Sequence, residues 1–199
     1  VLFRSVEGAG KSTQIKFICD YLQAKGINVV LTREPGGTDL GEKIRQLLLS
    51  TQTQPMHSDS ELLLMFAARN EHIHHKIIPA LKKGDWVLSD RFTDASYAYQ
   101  GGGRGLDIER IEHLERWVLG DFTPDMTLLL DIPVDLGMSR VESRGEKDRI
   151  ELEAKDFFER VRQAYIARSE KYPERIKLID SSKEREHTST QIEQILATL

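Results

Sequence analysis

The residues with the clearest chemical meaning form a glycine-rich segment near the start of the sequence. Residues 6–13, VEGAGKST, match the template G-x-x-x-x-G-K-[ST] at Gly10, Lys11 and Ser12, and apolar residues follow at helical spacing. A glycine-rich turn that leads into a helix directs backbone N–H groups and the positive end of the helix dipole at one point. This segment, called the phosphate loop below, therefore predicts a polyphosphate site in which Lys11 neutralises charge and Ser12 binds Mg²⁺.

One position departs from this template, because residue 5 is Ser where the first glycine is expected. If that position required a left-handed backbone, Ser5 would cost about 1–2 kcal/mol. An ordinary loop-to-helix turn is the alternative interpretation, since short glycine patterns recur by chance.

Two further polar groups follow apolar runs that read as buried strands. The loop TREPGGT at 32–38 comes after the run at 27–31, and Asp90 and Arg91 come after the run at 86–89. A carboxylate at this place holds Mg²⁺ in phosphate-loop enzymes, and an arginine fork suits a phosphate. A salt bridge at the strand end is the alternative.

The elements that must position these groups alternate between strands and helices. Further strands are predicted at 126–131 and 176–180, with helices at 40–49, 60–82, 107–119, 134–144, 153–172 and 188–198. Pro79 predicts a kink or break in the helix at 60–82. The glycines of 100–105 predict a flexible turn that lets the backbone approach a ligand or a neighbour closely. Strands that are short apolar runs indicate an α/β fold, with a parallel sheet flanked by helices on both faces. Ligands bind at the carboxyl ends of such strands, so we expect the three polar groups to converge on one crevice.

The composition favours one domain that spans residues 1–199, because 39% hydrophobic and 30% charged residues suit a compact core. A net charge of −4 argues against nucleic acid as a partner and favours a local site for a nucleotide. The single cysteine, Cys19, fits a reducing compartment, and no apolar run approaches the length of a membrane span. No basic-then-apolar leader precedes the domain, so we expect a cytoplasmic protein.

Six segments carry a resemblance to a known family. They are GAGKST (8–13), TREPGGT (32–38), FAAR (66–69), DRF (90–92), AYQGGGRG (98–105) and RGEKDRIE (144–151). Together they resemble the bacterial thymidylate kinases (dTMP kinases) from residue 6 onward. The resemblance implies a three-layer P-loop kinase fold with a lid at about 140–151. It also implies transfer of the γ-phosphoryl group of MgATP to dTMP, and a homodimer.

The resemblance also implies roles for individual residues. The ATP site would comprise Glu7, Gly8, Ala9, Gly10, Lys11, Ser12 and Thr13, with Mg²⁺ on Ser12 and Asp90. The dTMP site would comprise Arg33, Glu34, Arg45, Phe66, Arg69, Arg91, Ser96, Tyr99 and Gln100. Catalysis would rest on Lys11, Asp90, Arg91, Arg144 and Arg149.

Three of these assignments depend on particular departures or alternatives. Phe66 is the expected partner of the thymine ring because Met65 stands where many relatives have phenylalanine. The phosphate loop has Glu7 and no basic residue before Gly8, which places the chain in the subclass whose lid supplies arginines. Tyr97 is expected to be a core residue, whereas Tyr99 would pack on the sugar.

Other interpretations remain open from the sequence. A phosphate-loop kinase for a different nucleotide or a deoxynucleoside is the closest, and a nucleotide-binding switch without turnover is the second. His72 and His75 lie on one helical face, but a packed or solvated face is a better interpretation than zinc without a third ligand.

The first five residues form a separate question. Relatives have a strand that ends in an acid and a glycine before the phosphate loop, where this chain has Phe3-Arg4-Ser5. Residues 1–5 also correspond to the codons GTGCTCTTCCGATCT, which match the end of a common sequencing adapter. We therefore expect residues 1–5 to be non-native, and we expect the central strand to be short.

Overall fold

The computed structural model describes residues 2–5, 8–52, 54–142 and 148–198. Glu7 and Arg144, to which the sequence assigns roles, lie outside these residues. The strands are β1 Leu2–Ser5, β2 Val29–Arg33, β3 Trp86–Asp90, β4 Thr127–Asp131 and β5 Ile176–Asp180. All pairings among them are parallel, in the order β2-β3-β1-β4-β5, which confirms the predicted α/β fold.

The helices lie between the strands along the chain. They are α1 Lys11–Ala24, α2 Asp39–Leu49, α3 Ser58–His72, α4 Ile78–Lys82, α5 Thr93–Ser96, α6 Ile108–Leu119, α7 Val134–Glu142, α8 Lys155–Lys171 and α9 Arg185–Leu196. Two π-helical segments, Ile73–Ile77 and Tyr97–Gly103, join α3 to α4 and extend α5. None of the described helices is long and apolar enough to cross a membrane.

Strand β1 is the centre of the sheet although it is only four residues long. It pairs with β3 from Leu2 opposite Ser89 and with β4 through Ser5 opposite Leu130. Ser5 is the last residue of this extended strand, so the strain of a left-handed serine does not arise.

Both faces of the sheet are covered, as the continuous apolar strands predict. Successive strand residues point to opposite faces, and Val87 and Leu88 of β3 belong to different hydrophobic cores. The core around Leu88 contains α1, α8 and α9, whereas the core around Val87 contains α3 and α6. Cys19 packs at the edge of the first core, where burial raises the pKa of its thiol.

The predicted break at Pro79 is a change of helix type. Proline has no N–H and cannot donate to the carbonyl one turn earlier, so an α-helix cannot run through it unchanged. The chain is π-helical over Ile73–Ile77 and returns to α-helix at Ile78. The helical run at 58–82 is therefore continuous, because the wider π turn accommodates the missing hydrogen bond.

The prediction that residues 100–105 form a flexible turn is wrong, since the chain is π-helical through Gly103, but the predicted close approach of this backbone to a neighbour is found. The glycines of this segment serve close packing against α8. A Cβ atom on Gly103 would lie 2.5 Å from the Phe157 ring, and one on Gly102 would lie 2.7 Å from the Cβ atom of Ala164. Arg160 donates hydrogen bonds to the carbonyl oxygens of both glycines and fixes the segment on α8.

Candidate active site

The carboxyl ends of β2 and β3 meet at one cavity. Arg33, the last residue of β2, pairs with Asp90, the last residue of β3. The cavity has a volume of about 220 Å³. Its lining combines the phosphate loop with residues from the strand ends, α2, α3 and the lid base, namely Gly8, Ala9, Gly10, Lys11, Ser12, Arg33, Glu34, Pro35, Arg45, Leu49, Met65, Asp90, Arg91, Tyr99, Gln100, Asp148, Ile150 and Glu151. The three polar groups of the sequence therefore converge as expected.

Two glycines give the phosphate loop its shape. Gly8 and Gly10 both have left-handed backbones, with φ of 78° and 80°, and Gly10 precedes the first turn of α1. A side chain at Gly8 is excluded for a second reason, because its Cβ would lie 2.1 Å from the carbonyl oxygen of Gly137 in α7. Ser181 beyond β5 donates a 2.7 Å hydrogen bond to the carbonyl oxygen of Ala9 and supports the turn from below. Thr13 does not line the cavity.

Three arginines lie close together at the cavity. Burial lowers the pKa of the Arg45 guanidinium, and the positive charges of Arg33 and Arg91 lower it further. The guanidinium of Arg45 donates to the carbonyl oxygen of Pro35 at 3.0 Å, and Arg33 donates to Glu42 at 2.9 Å. Arginine side chains carry a positive charge in proteins, so the cavity gathers three cations. Like charges gathered in this way are typical of a site that binds a multiply charged anion.

Asp90 and Arg91 form the strand end between these groups. The Oδ1 atom of Asp90 is buried and has no hydrogen-bond partner among the described residues. Arg91 has a positive φ of 72°, which costs a residue with a side chain about 1–2 kcal/mol. Its guanidinium lies 4.7 Å from the centre of the Tyr99 ring. Strain of this kind is concentrated at functional sites, where the surrounding structure imposes it.

Glu34 is held in place by two buried side chains. Its Oε2 accepts a 2.8 Å hydrogen bond from Nε of Arg69, and its Oε1 lies 2.9 Å from Nδ1 of His72. The other ring nitrogen of His72 lies 2.6 Å from the hydroxyl of Thr32. The carboxylate is therefore fixed at the entrance of the TREPGGT loop, whose Glu34-Pro35 peptide bond is cis.

Arg69 is bound by the protein at each of its nitrogens. Besides Glu34, it donates to Oγ of Ser96 at 3.1 Å and to the carbonyl oxygen of Phe92 at 3.1 Å. It is 2% exposed and lines a small recess beside the cavity together with Ser96, Tyr99 and Gln100. The structure thus brings together four residues of the predicted dTMP site, namely Arg69, Ser96, Tyr99 and Gln100.

Gln100 contributes an acceptor to this recess. Its Nε2 donates to Oε1 of Glu61 at 2.8 Å, and its Oε1 is buried with no hydrogen-bond partner among the described residues. Tyr97 packs in the core and donates from its hydroxyl to Glu115, in agreement with the prediction. Tyr99 lines both the cavity and the recess.

The structure does not bring Phe66 to the site. Phe66 is 2% exposed and belongs to the core around Val87, whereas Met65 lines both the cavity and the recess. The two residues are adjacent on α3 and point in directions about 100° apart, so one of them faces the core when the other faces the site. The expectation that Phe66 faces the site is corrected, because Met65 lines the cavity and Phe66 does not.

Arg149 also lies outside the cavity lining, in contrast to its predicted catalytic role. Its Nη2 donates to Oε2 of Glu61 at 2.6 Å, and its Nε donates to the carbonyl oxygen of Leu48 at 2.7 Å. These bonds fix the base of the lid on α2 and α3. Its neighbours Asp148 and Ile150 line the cavity, but the side chain of Arg149 is directed away from it to the buried carboxylate of Glu61.

Four supporting residues were missed by the sequence analysis, namely Glu61, His72, Arg104 and Ser181. A sequence indicates a buried polar residue only where a polar type falls at a helical position that the apolar pattern predicts to be buried. Glu61 does not stand out in this way, because most acidic residues in a sequence lie on the surface. His72 lies three residues after Arg69, on the same side of α3. Its neighbour on the predicted face, His75, is exposed and lies 3.5 Å from Glu71.

A larger cavity of about 600 Å³ lies elsewhere in the molecule. It is lined by residues around the start of β3 and the segment before β4, including Leu81, Trp86, Phe122 and Met126. None of the phosphate-loop residues or the clustered arginines lines it. Size alone therefore does not identify the functional site, and the cavity at the carboxyl ends of the strands has the charged groups.

Comparisons with known proteins agree with this geometry. A family model described as thymidylate kinase matches residues 5–192. The thymidylate kinase of Ruthia magnifica is 75% identical over 194 residues, which cover 98% of this chain and 95% of the relative. That of Nitrosospira multiformis is 48% identical over 199 residues, with 100% and 97% covered. A crystal structure of thymidylate kinase from Ehrlichia chaffeensis superposes with a TM-score of 0.78 at 34% identity, and covers 98% of this chain and 96% of the other.

Proposed function

Because the chain belongs to the thymidylate kinase family, and therefore phosphorylates dTMP to dTDP with ATP, we propose how its residues divide that reaction. The phosphate loop binds the polyphosphate of ATP, and Arg33, Arg45 and Arg91 bind the phosphate of dTMP. The observation that carries this proposal is the gathering of three arginines opposite the phosphate loop across one cavity. A site for one nucleotide alone does not need a second cluster of cations.

The proposed mechanism is alignment with charge neutralisation. The attacking oxygen already belongs to an anionic phosphate, so no general base is needed. Two anionic phosphates repel each other, and fixed cations on both sides of the cavity offset that repulsion. Lys11 and the N–H groups of the phosphate loop act on the donor side, whereas Arg45 and Arg91 hold the acceptor in line.

The residues present also fit Mg²⁺. Asp90 offers a buried oxygen without a hydrogen-bond partner among the described residues, and the hydroxyl of Ser12 lines the same cavity. Oxygen ligands of this kind suit a hard divalent cation, which would neutralise charge on the ATP phosphates when bound. Glu34 lies near this place, but its carboxylate is engaged by Arg69 and His72.

We propose that the cavity receives the thymine base and the sugar at the end where it adjoins the recess, which shares Met65, Tyr99 and Gln100 with it. Gln100 offers its Oε1 to the base, Met65 packs against the ring, and Tyr99 packs against the sugar. Arg69 and Ser96 form the wall of this recess through their mutual hydrogen bond. Arg149 anchors the base of the lid, which leaves Arg144 as the lid arginine that the family resemblance assigns to catalysis.

The proposal extends to the oligomer and the compartment. Leu63 of α3 and Trp117 of α6 are 57% and 82% exposed. The two helices are neighbours, since Arg110 of α6 pairs with Asp59 of α3 at 2.8 Å. Exposed apolar residues on adjacent helices are typical of an interface, and we propose a homodimer through this face. We also propose a cytoplasmic location, which the substrates ATP and dTMP support.

Steady-state kinetics of Arg45→Met test the division of the site. Loss of a charge-assisted hydrogen bond to phosphate should raise the KM for dTMP about 10- to 100-fold. The KM for ATP should change by less than about threefold, since Arg45 lies on the acceptor side. Arg116→Met on α6, an exposed arginine outside the cavity, is the matched control. An equal rise in both KM values would contradict the assignment of Arg45 to dTMP.

A further inference from the structure

We propose that Glu61 orients the Gln100 amide and thereby makes the site select a base that presents an N–H group at its pairing edge. Glu61 lies on the first turn of α3 and has no role in the reaction described above. The inference rests on the proposed contact between Gln100 and the base. It concerns a positioning residue that determines specificity, not a residue that touches the substrate.

Glu61 is a buried carboxylate that joins three side chains. It is 1% exposed, and its Oε1 accepts from Nε2 of Gln100 at 2.8 Å. Its Oε2 accepts from Arg149 at 2.6 Å and from Arg104 at 3.3 Å. Burial raises the pKa of Glu61, but the hydrogen bonds from Gln100 and Arg149 and the nearby arginine charges outweigh burial, so the pKa is lowered overall. The carboxylate is therefore ionised at neutral pH.

An ionised carboxylate can only accept hydrogen bonds, and this fixes the direction of the Gln100 amide. A glutamine side chain has an amino end that donates and a carbonyl end that accepts. If the amide were reversed, its Oε1 would face an acceptor at hydrogen-bond distance, which is repulsive. The amino end must face Glu61, so the carbonyl end is the part of the amide that remains for a ligand.

The carbonyl end of Gln100 suits one class of pyrimidine. Thymine and uracil carry a hydrogen on N3, whereas N3 of cytosine is an acceptor. A buried acceptor that is satisfied only by the correct ligand discriminates strongly, because the wrong ligand leaves it unpaired. The orientation imposed by Glu61 thus favours dTMP over dCMP.

Glu61→Gln should reverse this orientation with little change of shape. The Oε2 side of residue 61 faces donors of Arg149 at 2.6 Å and Arg104 at 3.3 Å, whereas the Oε1 side faces Arg104 only at 3.5 Å. The carbonyl oxygen of a new amide will therefore take the Oε2 side, where the two closer donors lie. Its amino group is then directed at Gln100, which must turn its own carbonyl inward and present its amino group to the ligand. Glu61→Asp keeps an acceptor-only group and should retain the original orientation.

The experiment measures kcat/KM for dTMP and the inhibition constant of dCMP in four proteins. The preference for dTMP over dCMP is expressed as the product of these two quantities, relative to the unaltered enzyme. The four proteins are the unaltered enzyme, Glu61→Gln, Glu61→Asp and the control Glu153→Gln. Glu153 is the other carboxylate on Arg104, whereas the amide of Gln100 is bound to Glu61. The Glu153 variant therefore perturbs the same group of ion pairs without changing the partner of the amide. We expect the preference for dTMP over dCMP to fall at least about tenfold in Glu61→Gln only. Melting temperatures of all four proteins verify that each variant is folded.

The outcomes separate this inference from the proposed site. An unchanged preference in folded Glu61→Gln, or equal losses in Glu61→Gln and Glu61→Asp, would overturn the role of Glu61. Gln100→Leu tests the contact itself, and an unchanged preference in that variant would instead overturn the placement of the base. If Glu61→Gln does not fold, NMR of the unaltered enzyme decides. The Gln100 amino protons should show contacts to Glu61, and contacts to bound dTMP in their place would contradict the inference.

Discussion

At the scale of residues, the arginines of this chain fall into two groups that perform different tasks. Arg69, Arg104 and Arg149 are bound by buried or partly buried carboxylates, so the protein itself uses their charge. Arg33, Arg45 and Arg91 line the cavity, where Arg33 and Arg91 lower the pKa of Arg45. A sequence shows all six as the same residue type. Arg33 also pairs with a carboxylate, that of Glu42, so an ion pair alone does not separate the two groups. Their position in the fold does, because only the second group lines the cavity.

Arg149→Met tests the structural role of this arginine. The change removes a partner of the buried Glu61 and the hydrogen bond to Leu48, so it should destabilise the protein by about 2–3 kcal/mol. For a chain of this length, we expect the melting temperature to fall by about 4–10 °C, measured by calorimetry. Arg116→Met, on an exposed part of α6, should leave it within about 1 °C.

A catalytic role for Arg149 would instead lower the rate of the reaction and leave the stability unchanged. In that case kcat would fall by more than about 100-fold while the melting temperature stayed unchanged. Measurement of both quantities on the same preparation distinguishes an anchor of the lid base from a residue that acts on the phosphates.

At the scale of elements, the π-helical segment Tyr97–Gly103 determines where the base-binding side chains lie. A π turn is wider than an α turn and rotates the residues that follow it. This segment carries Tyr99 and Gln100, and it packs tightly on α8 through its glycines. The glycines that appeared to predict flexibility therefore hold a rigid part of the site.

Gly103→Ala tests this packing. A Cβ atom at this position would lie 2.5 Å from the Phe157 ring, which is buried and cannot move without disturbing Tyr99. We expect overpacking to cost about 1–3 kcal/mol in unfolding free energy and to raise the KM for dTMP. Denaturant unfolding and kinetics measure the two effects.

Gly101→Ala is the matched control in the same segment. Its Cβ atom would meet the flexible end of Ile108 at 2.9 Å, which can move aside. The loss of stability should be less than half of that in Gly103→Ala. Equal losses in the two variants would show that helix type, and not contact with Phe157, determines the effect.

At the scale of the whole molecule, the sheet order places the site and the proposed interface on different parts of the fold. The crevice lies at the carboxyl ends of β2 and β3 beside the central strand β1. The exposed apolar face lies on α3 and α6, and α3 also carries Met65, Arg69 and Glu61. Assembly through α3 would therefore support the element that holds the base.

Trp117→Glu tests the proposed dimer. The Trp117 side chain is 82% exposed in one chain, and a charge in its place should weaken an apolar interface by at least about tenfold in Kd. Light scattering after size exclusion should give a mass near 22.8 kDa for the variant and twice that value for the unaltered protein. Leu178→Glu on the edge strand β5 is the control and should leave the mass unchanged. A mass of 22.8 kDa for the unaltered protein would refute the dimer.

The sequence by itself determined the fold class, the reaction and most of the site. Apolar runs that end in charged residues specify a parallel sheet, and the carboxyl ends of parallel strands must meet. Gly10, Lys11 and Asp90 line one cavity because a local motif and a strand end define their positions. This information lies within a few residues along the chain.

Only the tertiary structure decided which side chains face the ligand. Met65 or Phe66 could occupy the site from helical spacing alone, and packing in the second core selects Phe66 for the interior. Arg149 is turned away from the phosphates by Glu61, which precedes it by 88 residues, and Glu61 also directs the Gln100 amide. A buried charge must find a partner wherever the fold places one, and that partner is not encoded by any local pattern.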